Sequence, residues 1–324
     1  MYAKEQSGNA LVMRLVAPLF ALSRGSGDVS QQVAHRASQI LRARLCKAKE
    51  LPRGNLDVAG MVDELKATHE YARSTQDVQM AELSGAVSQL YTKVLIRHGH
   101  LSEPVSVYET TLHDFLERKS SPVRPSFLID AIRRLPELGW GLRESLLDGC
   151  RVSKSAHAFR QIQAFTMLQA VLQQQQHEET RQATPKACLA FIKSICAVVV
   201  EAVHVAASDD VSASSLNAQR LKEVLRFALQ AVRITVRVAG NEAKAVYMAW
   251  PLDDLEGMAT ALQSSTRFKS STSLHGLIKE MLAVLRRVGE LKEKTKKRTA
   301  QEDKPRASDS TSKTSATKRA KRAP

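Results

Sequence analysis

A repeated helical pattern runs through almost the whole chain and limits the folds that it can adopt. From residue 11 to about residue 291, apolar residues recur every three or four positions in one segment after another, as on the buried face of an α-helix. Only 14 glycines and 10 prolines interrupt the 324 residues, and the residues between them are mostly strong helix formers. The sequence therefore predicts an all-α protein.

Glycine, proline and capping residues divide the pattern into separate helical segments. Asp28 or Ser30 is predicted to cap the second segment, and Asp57 the third. Pro18 is predicted to kink the first segment, and Pro104 to precede the fifth. The predicted helices cover about residues 11–22, 33–45, 61–69, 80–97, 107–116, 127–135, 138–147, 155–176, 185–207, 216–238, 243–250, 252–262 and 274–291.

The order of these segments indicates how the helices pack. No repeat of fixed length appears, but helices of unequal length alternate with short loops throughout, as in an α-solenoid, where each helix pair covers the apolar stripe of the pair before it. The segment Pro185–Ala207 is apolar on nearly all sides, which predicts that it is buried between neighbours. We predict irregular HEAT- or armadillo-like helical repeats over residues 1–285. A compact helical bundle is the alternative.

The end of the chain differs in composition from the rest. The last helix is predicted to end near Leu291, and the residues after it include no Leu, Ile, Val or Phe. Such a segment buries too little apolar surface to offset the entropy lost on ordering, so residues 286–324 are predicted to hold the end of the last helix and a disordered tail. They carry 14 Lys or Arg and 5 Asp or Glu, a large part of the net charge of +15.

Two basic clusters in this tail are the strongest functional signal. In an extended chain such clusters serve as nuclear import signals for an import receptor, and they also neutralise nucleic-acid phosphates. Phosphorylation of the Ser- and Thr-rich residues 308–317 between them would lower the positive charge. A tail that only keeps the protein soluble is the alternative. The predicted binding residues are Lys292, Lys294, Lys296, Lys297 and Arg298 in the first cluster, and Lys318, Arg319, Lys321 and Arg322 in the second.

The helical part also carries basic groups close together in sequence. A solenoid edge could align them along an RNA groove, although a solvated helix face is the more common arrangement. One group is Arg42, Arg44, Lys47 and Lys49, and the other is Arg118, Lys119, Arg124, Arg133 and Arg134.

No pattern of residues predicts catalysis, a cofactor or a metal site. His98 and His100 are too few for a metal and are predicted to form a solvated helix end. Of the two adjacent Asp–Asp pairs, Asp209–Asp210 lies in a predicted loop, and Asp253–Asp254 begins a predicted helix, where Asp is a common cap. Four cysteines without CxxC spacing indicate buried free thiols in a reducing compartment. The longest apolar run, about residues 195–205, is shorter than the ~20 residues that span a membrane.

Four stretches in the first half of the chain resemble a known family. They are ASQILRARLCKAKELP at 37–52, YETTLHDFLERKSSPVRPSFLID at 108–130, RLPELGWGL at 134–142 and AHAFRQIQA at 156–164. Together, over roughly residues 10–175, they resemble the DNA polymerase phi family, also called Myb-binding protein 1A in animals and DNA polymerase V in fungi. These stretches are helix-and-turn signatures, and none of them is a catalytic motif.

The resemblance implies a nucleolar protein of helical repeats that acts in ribosomal RNA gene transcription and ribosome assembly. It also implies that this chain corresponds to the C-terminal portion of longer proteins. We expect a non-enzymatic scaffold that binds ribosomal DNA or pre-ribosomal RNA together with ribosome-assembly factors. The alternative is a transcription coregulator whose helical grooves bind transcription factors. A polymerase is the least expected interpretation.

Overall fold

The computed structural model describes residues 9–25, 30–48, 50–52, 56–151, 157–208, 216–240 and 242–302, with side chains as far as Val288. This part of the chain holds fourteen α-helices and no β-strand, which confirms the prediction of an all-α protein. A 3₁₀ turn, Ala10–Leu15, leads into the first helix, and a π-helical turn, Leu41–Leu45, continues the second. The helices are α1 (Val16–Ser23), α2 (Gln31–Ile40), α3 (Val58–Ser74), α4 (Val78–Arg97), α5 (Ser102–Glu117), α6 (Pro125–Arg134), α7 (Pro136–Gly141), α8 (Arg143–Gly149), α9 (Ala158–Gln175), α10 (Pro185–Ala207), α11 (Ala218–Val238), α12 (Ala243–Ala249), α13 (Leu252–Ser264) and α14 (Thr272–Glu302).

From α3 onwards, all the helices except α7 and α12 form two layers. Layer A consists of α4, α6, α9, α11 and α14, and each of these helices packs on the next. Layer B consists of α3, α5, α8, α10 and α13, which pack in sequence in the same way, and pairs such as α3–α4 and α10–α11 join the layers. Each helix therefore packs mainly on helices no more than about three elements away in the chain, whereas a compact bundle would pack all its helices around one core. The prediction of an α-solenoid is confirmed.

Short polar side chains begin several helices, as the sequence predicts. Ser30 Oγ accepts a hydrogen bond from the Val33 amide at 3.4 Å, and Asp57 Oδ1 accepts one from the Gly60 amide at 2.9 Å. Asp28 lies outside the described residues. These caps satisfy amides that have no partner within the helix, which fixes where each helix starts.

Both prolines predicted to disturb helices occupy a first helical turn. Pro18 is the third residue of α1, and Pro104 is the third residue of α5. The prediction of a helix that starts after Pro104 is therefore wrong. The kink at Pro18 stays a prediction, and the change from the 3₁₀ turn to α1 lies just before this residue. Amides in a first turn have no carbonyl partner within the helix, so proline loses no hydrogen bond there.

The predicted helix over residues 138–147 is also wrong, because Leu142 separates two short helices, α7 and α8. Gly139 and Gly141 weaken helix formation in this stretch. At Gly141, an added Cβ would lie 2.5 Å from Val105 Cγ2, so only glycine lets α7 approach α5 this closely.

The structure corrects the predicted burial of α10. One stripe of this helix is exposed, and it carries small and polar residues: Lys186, Ala190, Lys193, Ala197 and His204. The helix is long and apolar enough to cross a membrane, with a mean hydropathy of 2.0 in its most apolar 18 residues, but half of that window is buried inside the protein. Its apolar side packs on α11 and α13, as in the core helix of a repeat.

The last helix is longer than predicted. α14 continues to Glu302, well past Leu291, so the predicted end of the helix is wrong. The boundary at residue 285 lies inside this last helix, as it did in the prediction. A helix that is already formed extends at little cost through good helix formers, and no proline follows before Pro305. The predicted disorder of residues 303–324 lies outside the described residues.

A buried polar network joins α3, α4 and α5 where the two hydrophobic cores of the protein meet. The His69 ring hydrogen-bonds through Nδ1 to Thr111 Oγ1 and through Nε2 to Ser88 Oγ, both at 2.7 Å. Ser88 Oγ also lies 2.7 Å from the Tyr108 hydroxyl. Burial, with a smaller contribution from the charge of Arg73, lowers the pKa of His69 to about 3, so the ring is neutral near pH 7.

The prediction of buried free thiols is confirmed for three of the four cysteines. Cys150, Cys188 and Cys196 are free and buried, and Cys46 is free and half-buried. Burial raises the pKa of Cys188 to about 11 and that of Cys196 to about 12. At neutral pH these two thiols are therefore protonated and weakly nucleophilic.

Candidate nucleic-acid interface

The two layers carry charge of opposite sign. The layer A helices, counted as far as Val288, contain thirteen Lys or Arg and four Asp or Glu. The layer B helices contain five Lys or Arg and thirteen Asp or Glu. A polyanion is attracted to the first surface and repelled by the second, and this difference orients its approach.

Layer A is most basic along α11, where a row of exposed side chains forms the α11 stripe: Arg226, Gln230, Arg233 and Arg237. Their spacing of four, three and four residues places them on one face of the helix over about 16 Å. Arg233 donates a hydrogen bond to Glu280 on α14 at 2.5 Å, and Arg237 donates one to the Gln176 side chain at 2.6 Å. The Arg226 guanidinium makes no hydrogen bond or ion pair with another described residue.

Basic side chains on α4 and α6 extend this surface. Arg134, the last residue of α6, donates a hydrogen bond to the Gln89 side chain of α4 at 3.1 Å. Lys93 and Arg97 are exposed on α4, and Arg133 is exposed beside Arg134. The positive charge of layer A thus continues across several repeats.

Arg160, at the start of α9, is the exception among the layer A cations because it is buried. Its guanidinium donates a hydrogen bond to the Ser121 carbonyl at 3.3 Å and lies 4.0 Å from the centre of the Phe115 ring. It takes the inward position predicted for Phe159, which is 46% exposed, so the predicted burial of Phe159 is wrong. Arg160 holds the turn before α6 in place and is not available to a ligand.

The structure describes part of the predicted tail site. The first cluster, Lys292, Lys294, Lys296, Lys297 and Arg298, lies on α14, where the helical backbone but not the side chains is described. The second cluster, Lys318, Arg319, Lys321 and Arg322, lies outside the described residues. Since α14 belongs to layer A, the helix carries the basic surface of that layer directly into the first cluster.

The two basic groups predicted in the helical part are only partly free. Arg42 pairs with Glu82 on α4 at 3.4 Å, and Arg118 pairs with Asp114 at 3.6 Å. Lys119 and Arg124 are exposed, whereas Lys49 lies outside the described residues. Pairing with a carboxylate reduces the charge that these arginines offer to a polyanion.

The Asp–Asp pairs and the histidines that were considered as possible catalytic or metal sites do not form such a site among the described residues. Asp253 and Asp254 are exposed in the first turn of α13, where negative charge is favoured by the helix dipole, but the cap itself is Pro251. Asp209–Asp210 lies outside the described residues. His98 donates a hydrogen bond to a backbone carbonyl, and the described part of the chain holds no group of three or more His, Cys, Asp or Glu placed to bind a metal ion.

Apart from layer A, a concave surface lies between the N-terminal 3₁₀ turn, α1 and α3. This N-terminal groove has a volume of about 700 Å³, and its walls include Leu11, Met13 and Phe20. Tyr91 also lines the groove, and its hydroxyl is buried without a hydrogen-bond partner among the described residues. A buried hydroxyl without a partner is costly, and a bound ligand could satisfy it.

Sequence reasoning missed the α11 stripe because its arginines are spread along a helix rather than clustered in the chain. The signal that could have found them is their spacing within the predicted helix at residues 216–238, which repeats every three or four positions. The opposite charges of the two layers could not be read in the same way, because layer membership depends on which helices pack together.

Comparison with known proteins agrees with this architecture. The family model for Myb-binding protein 1A-like proteins, described as TPR repeats, matches residues 6–288. No curated protein and no solved structure gives a significant match to the chain. TPR repeats, like HEAT and armadillo repeats, are helix pairs that stack on their neighbours, which is the arrangement of layers A and B. The chain therefore belongs to the Myb-binding protein 1A-like family of TPR-repeat proteins.

Proposed function

We propose that this chain is a nucleolar scaffold in ribosomal RNA gene transcription and ribosome biogenesis, and that it binds ribosomal DNA or pre-ribosomal RNA through basic surfaces. The observation that carries the proposal is the excess of positive charge on layer A against the negative charge of layer B. Stacked helical repeats also offer long surfaces to protein partners such as ribosome-assembly factors. The finer resemblance to DNA polymerase phi is part of the proposal, but polymerase activity is not.

The tail is proposed to act together with layer A. Its two basic clusters supply an import signal for a nuclear import receptor and further contacts to phosphates. Because α14 leads from layer A into the first cluster, one nucleic-acid strand could contact both surfaces. Nuclear and nucleolar localisation follows from this proposal.

Neutralising the α11 stripe is expected to weaken binding to RNA. In the triple variant Arg226→Gln, Arg233→Gln and Arg237→Gln, the loss of three phosphate contacts should lower affinity about 10- to 100-fold at low salt. The slope of log affinity against log salt concentration should fall by about 2, because fewer counterions are released on binding. Fluorescence anisotropy with a labelled pre-ribosomal RNA fragment, titrated at several salt concentrations, measures both quantities.

A matched control removes the same charge from layer B. Lys66, Lys186 and Lys193 are exposed on α3 and α10, and their triple change to Gln alters the net charge equally. This control is expected to bind RNA like the wild type. Equal losses in both variants would show that only the total charge matters, and would contradict an interface on layer A.

The N-terminal groove favours a second candidate function, that of a transcription coregulator. An amphipathic helix of a transcription factor could bury its apolar side against Leu11, Met13 and Phe20 and offer a polar group to the Tyr91 hydroxyl. Nucleic acid would then be a secondary partner. The groove lies at the opposite end of the described chain from α14, so the two sites could be occupied independently.

Crosslinking in cells distinguishes the two candidates. If the chain is a scaffold of ribosome assembly, ribosomal RNA precursor is expected to dominate the crosslinked RNA, with contacts enriched at α11 and α14. If it is a coregulator, transcription factors should remain bound after nuclease treatment while ribosomal RNA is absent from the crosslinks. Crosslinked RNA without ribosomal sequences would contradict the proposed function.

A further inference from the structure

A pocket opens on layer A beside the α11 stripe, between α9, α11 and α14. Its volume is about 530 Å³, within the range of ~300–1,000 Å³ usual for small-ligand sites. Phe165, Phe227 and Leu277 contribute an apolar floor, and the two phenylalanine rings lie 5.1 Å apart between their centres. The polar side chains around it are Thr166, Gln169, Glu223, Arg226, Gln230, Arg233 and Glu280.

Several of these polar groups have no partner within the described part of the protein. The Gln169 and Gln230 amides and the Arg226 guanidinium make no hydrogen bond or ion pair with another described residue. An amide side chain presents two donor hydrogens and an acceptor oxygen, which match the hydrogen-bonding edge of a nucleobase. An apolar floor under a rim of amides therefore fits a planar ring with polar edges.

The charge around the pocket indicates what the ring is attached to. Arg226 and Arg233 lie at its edge, and Arg237 continues the stripe about 6 Å further along α11. Arginines in this arrangement can contact successive phosphates of a strand whose base enters the pocket. A base in a duplex is stacked and paired and cannot enter, so the strand must be unpaired at this point.

We propose that layer A binds single-stranded nucleic acid, with one unpaired base seated in the pocket between α9, α11 and α14 and the adjoining phosphates on the α11 stripe. This inference rests on the proposed function and names the form of nucleic acid that the same surface selects. Gln169 and Gln230 contact the base, and Arg226 bridges the base and the backbone. An acidic polypeptide would satisfy the arginines but would leave the amides and the apolar floor unused.

The test uses the full chain and three labelled probes: an oligoribonucleotide, the same sequence in a duplex, and the same strand with its bases removed at the central positions. Wild type is expected to bind the intact single strand about 10-fold more tightly than either of the others. The double variant Gln169→Ala and Gln230→Ala should lose this preference. Its salt dependence should not change, because no charge is removed.

A control variant outside the pocket distinguishes a loss of base recognition from a general effect of replacing two glutamines. Gln163 and Gln173 lie on α9 outside the pocket, and their double change to Ala should leave both affinity and preference as in wild type, with circular dichroism confirming the fold of every variant. Equal binding of single strand, duplex and base-free strand would overturn the base pocket, as would displacement of the single strand by polyglutamate at equal charge concentration. If the base pocket is overturned but the triple variant Arg226→Gln, Arg233→Gln and Arg237→Gln still binds RNA more weakly than wild type, the proposed function stands without the pocket. If that variant changes nothing, the proposed function fails.

Discussion

Acidification from pH 7 to pH 4 is expected to lower the free energy of unfolding by about 3 kcal/mol through one side chain, His69. Between pH 6.5, the ordinary pKa, and its folded pKa of about 3, the unfolded chain binds a proton at this position that the folded chain does not. The folded state is therefore fully stabilised above pH 6.5 and loses stability as the pH falls towards 3. Burial is the main cause, and the positive charge of Arg73 adds to it.

The variant His69→Gln separates this contribution from those of other groups. At pH 7 it should be less stable than wild type by about 1–3 kcal/mol, because an amide cannot reproduce both 2.7 Å hydrogen bonds to Thr111 and Ser88. Its stability should then fall less steeply between pH 7 and pH 4, as measured by urea unfolding at each pH. His113→Gln, on the exposed face of α5, is the control and should keep the wild-type slope. An unchanged slope in His69→Gln would contradict the assignment.

Truncation of Trp250 is expected to cost about 3–5 kcal/mol, the range for removing a fully buried aromatic side chain. Its ring is completely buried at the junction of α12 and α13, and its indole Nε1 donates a hydrogen bond to Thr235 Oγ1 on α11 at 2.9 Å. Trp250→Ala would leave a cavity among α11, α12 and α13. Because stability in a solenoid is largely local to neighbouring repeats, hydrogen exchange should accelerate mainly from α11 to α14.

Two further variants test this explanation of Trp250→Ala. Trp250→Phe keeps a six-membered ring but loses part of the indole together with its N–H, and Thr235 still donates to the Ala231 carbonyl at 2.7 Å, so the loss should be about 1–3 kcal/mol. Met248→Ala, at a neighbouring position that is 60% exposed, should change stability by less than about 0.5 kcal/mol. Thermal unfolding and hydrogen exchange measure these effects. Faster exchange spread evenly over all helices would contradict the local origin.

The helices could be predicted from the sequence because their determinants are local, and their order predicted the solenoid class but not which helices pack together. Apolar spacing marked the buried faces, and caps such as Asp57 marked the starts. The errors arose where local rules compete. Pro104 looks like a helix breaker but lies in a first turn, and the end of α14 depends on helix propensity rather than on apolar burial.

The candidate interface could be predicted only in part. A basic surface was expected, because excess charge is visible in any sequence, and it was assigned to clusters of adjacent lysines and arginines. The surface that the structure adds combines residues from α4, α6, α11 and α14, which are far apart in sequence. The same is true of the pocket, where Gln169 and Gln230 meet only because α9 packs on α11.

The opposite charges of layers A and B have a consequence for how many strands one molecule can hold. With its cationic side occupied, the helical body turns an anionic side outward, and this side repels a second strand within roughly the 8 Å Debye length of physiological salt. If layer A binds nucleic acid as proposed, the helical body will coat one strand and will not by itself crosslink two strands into a network.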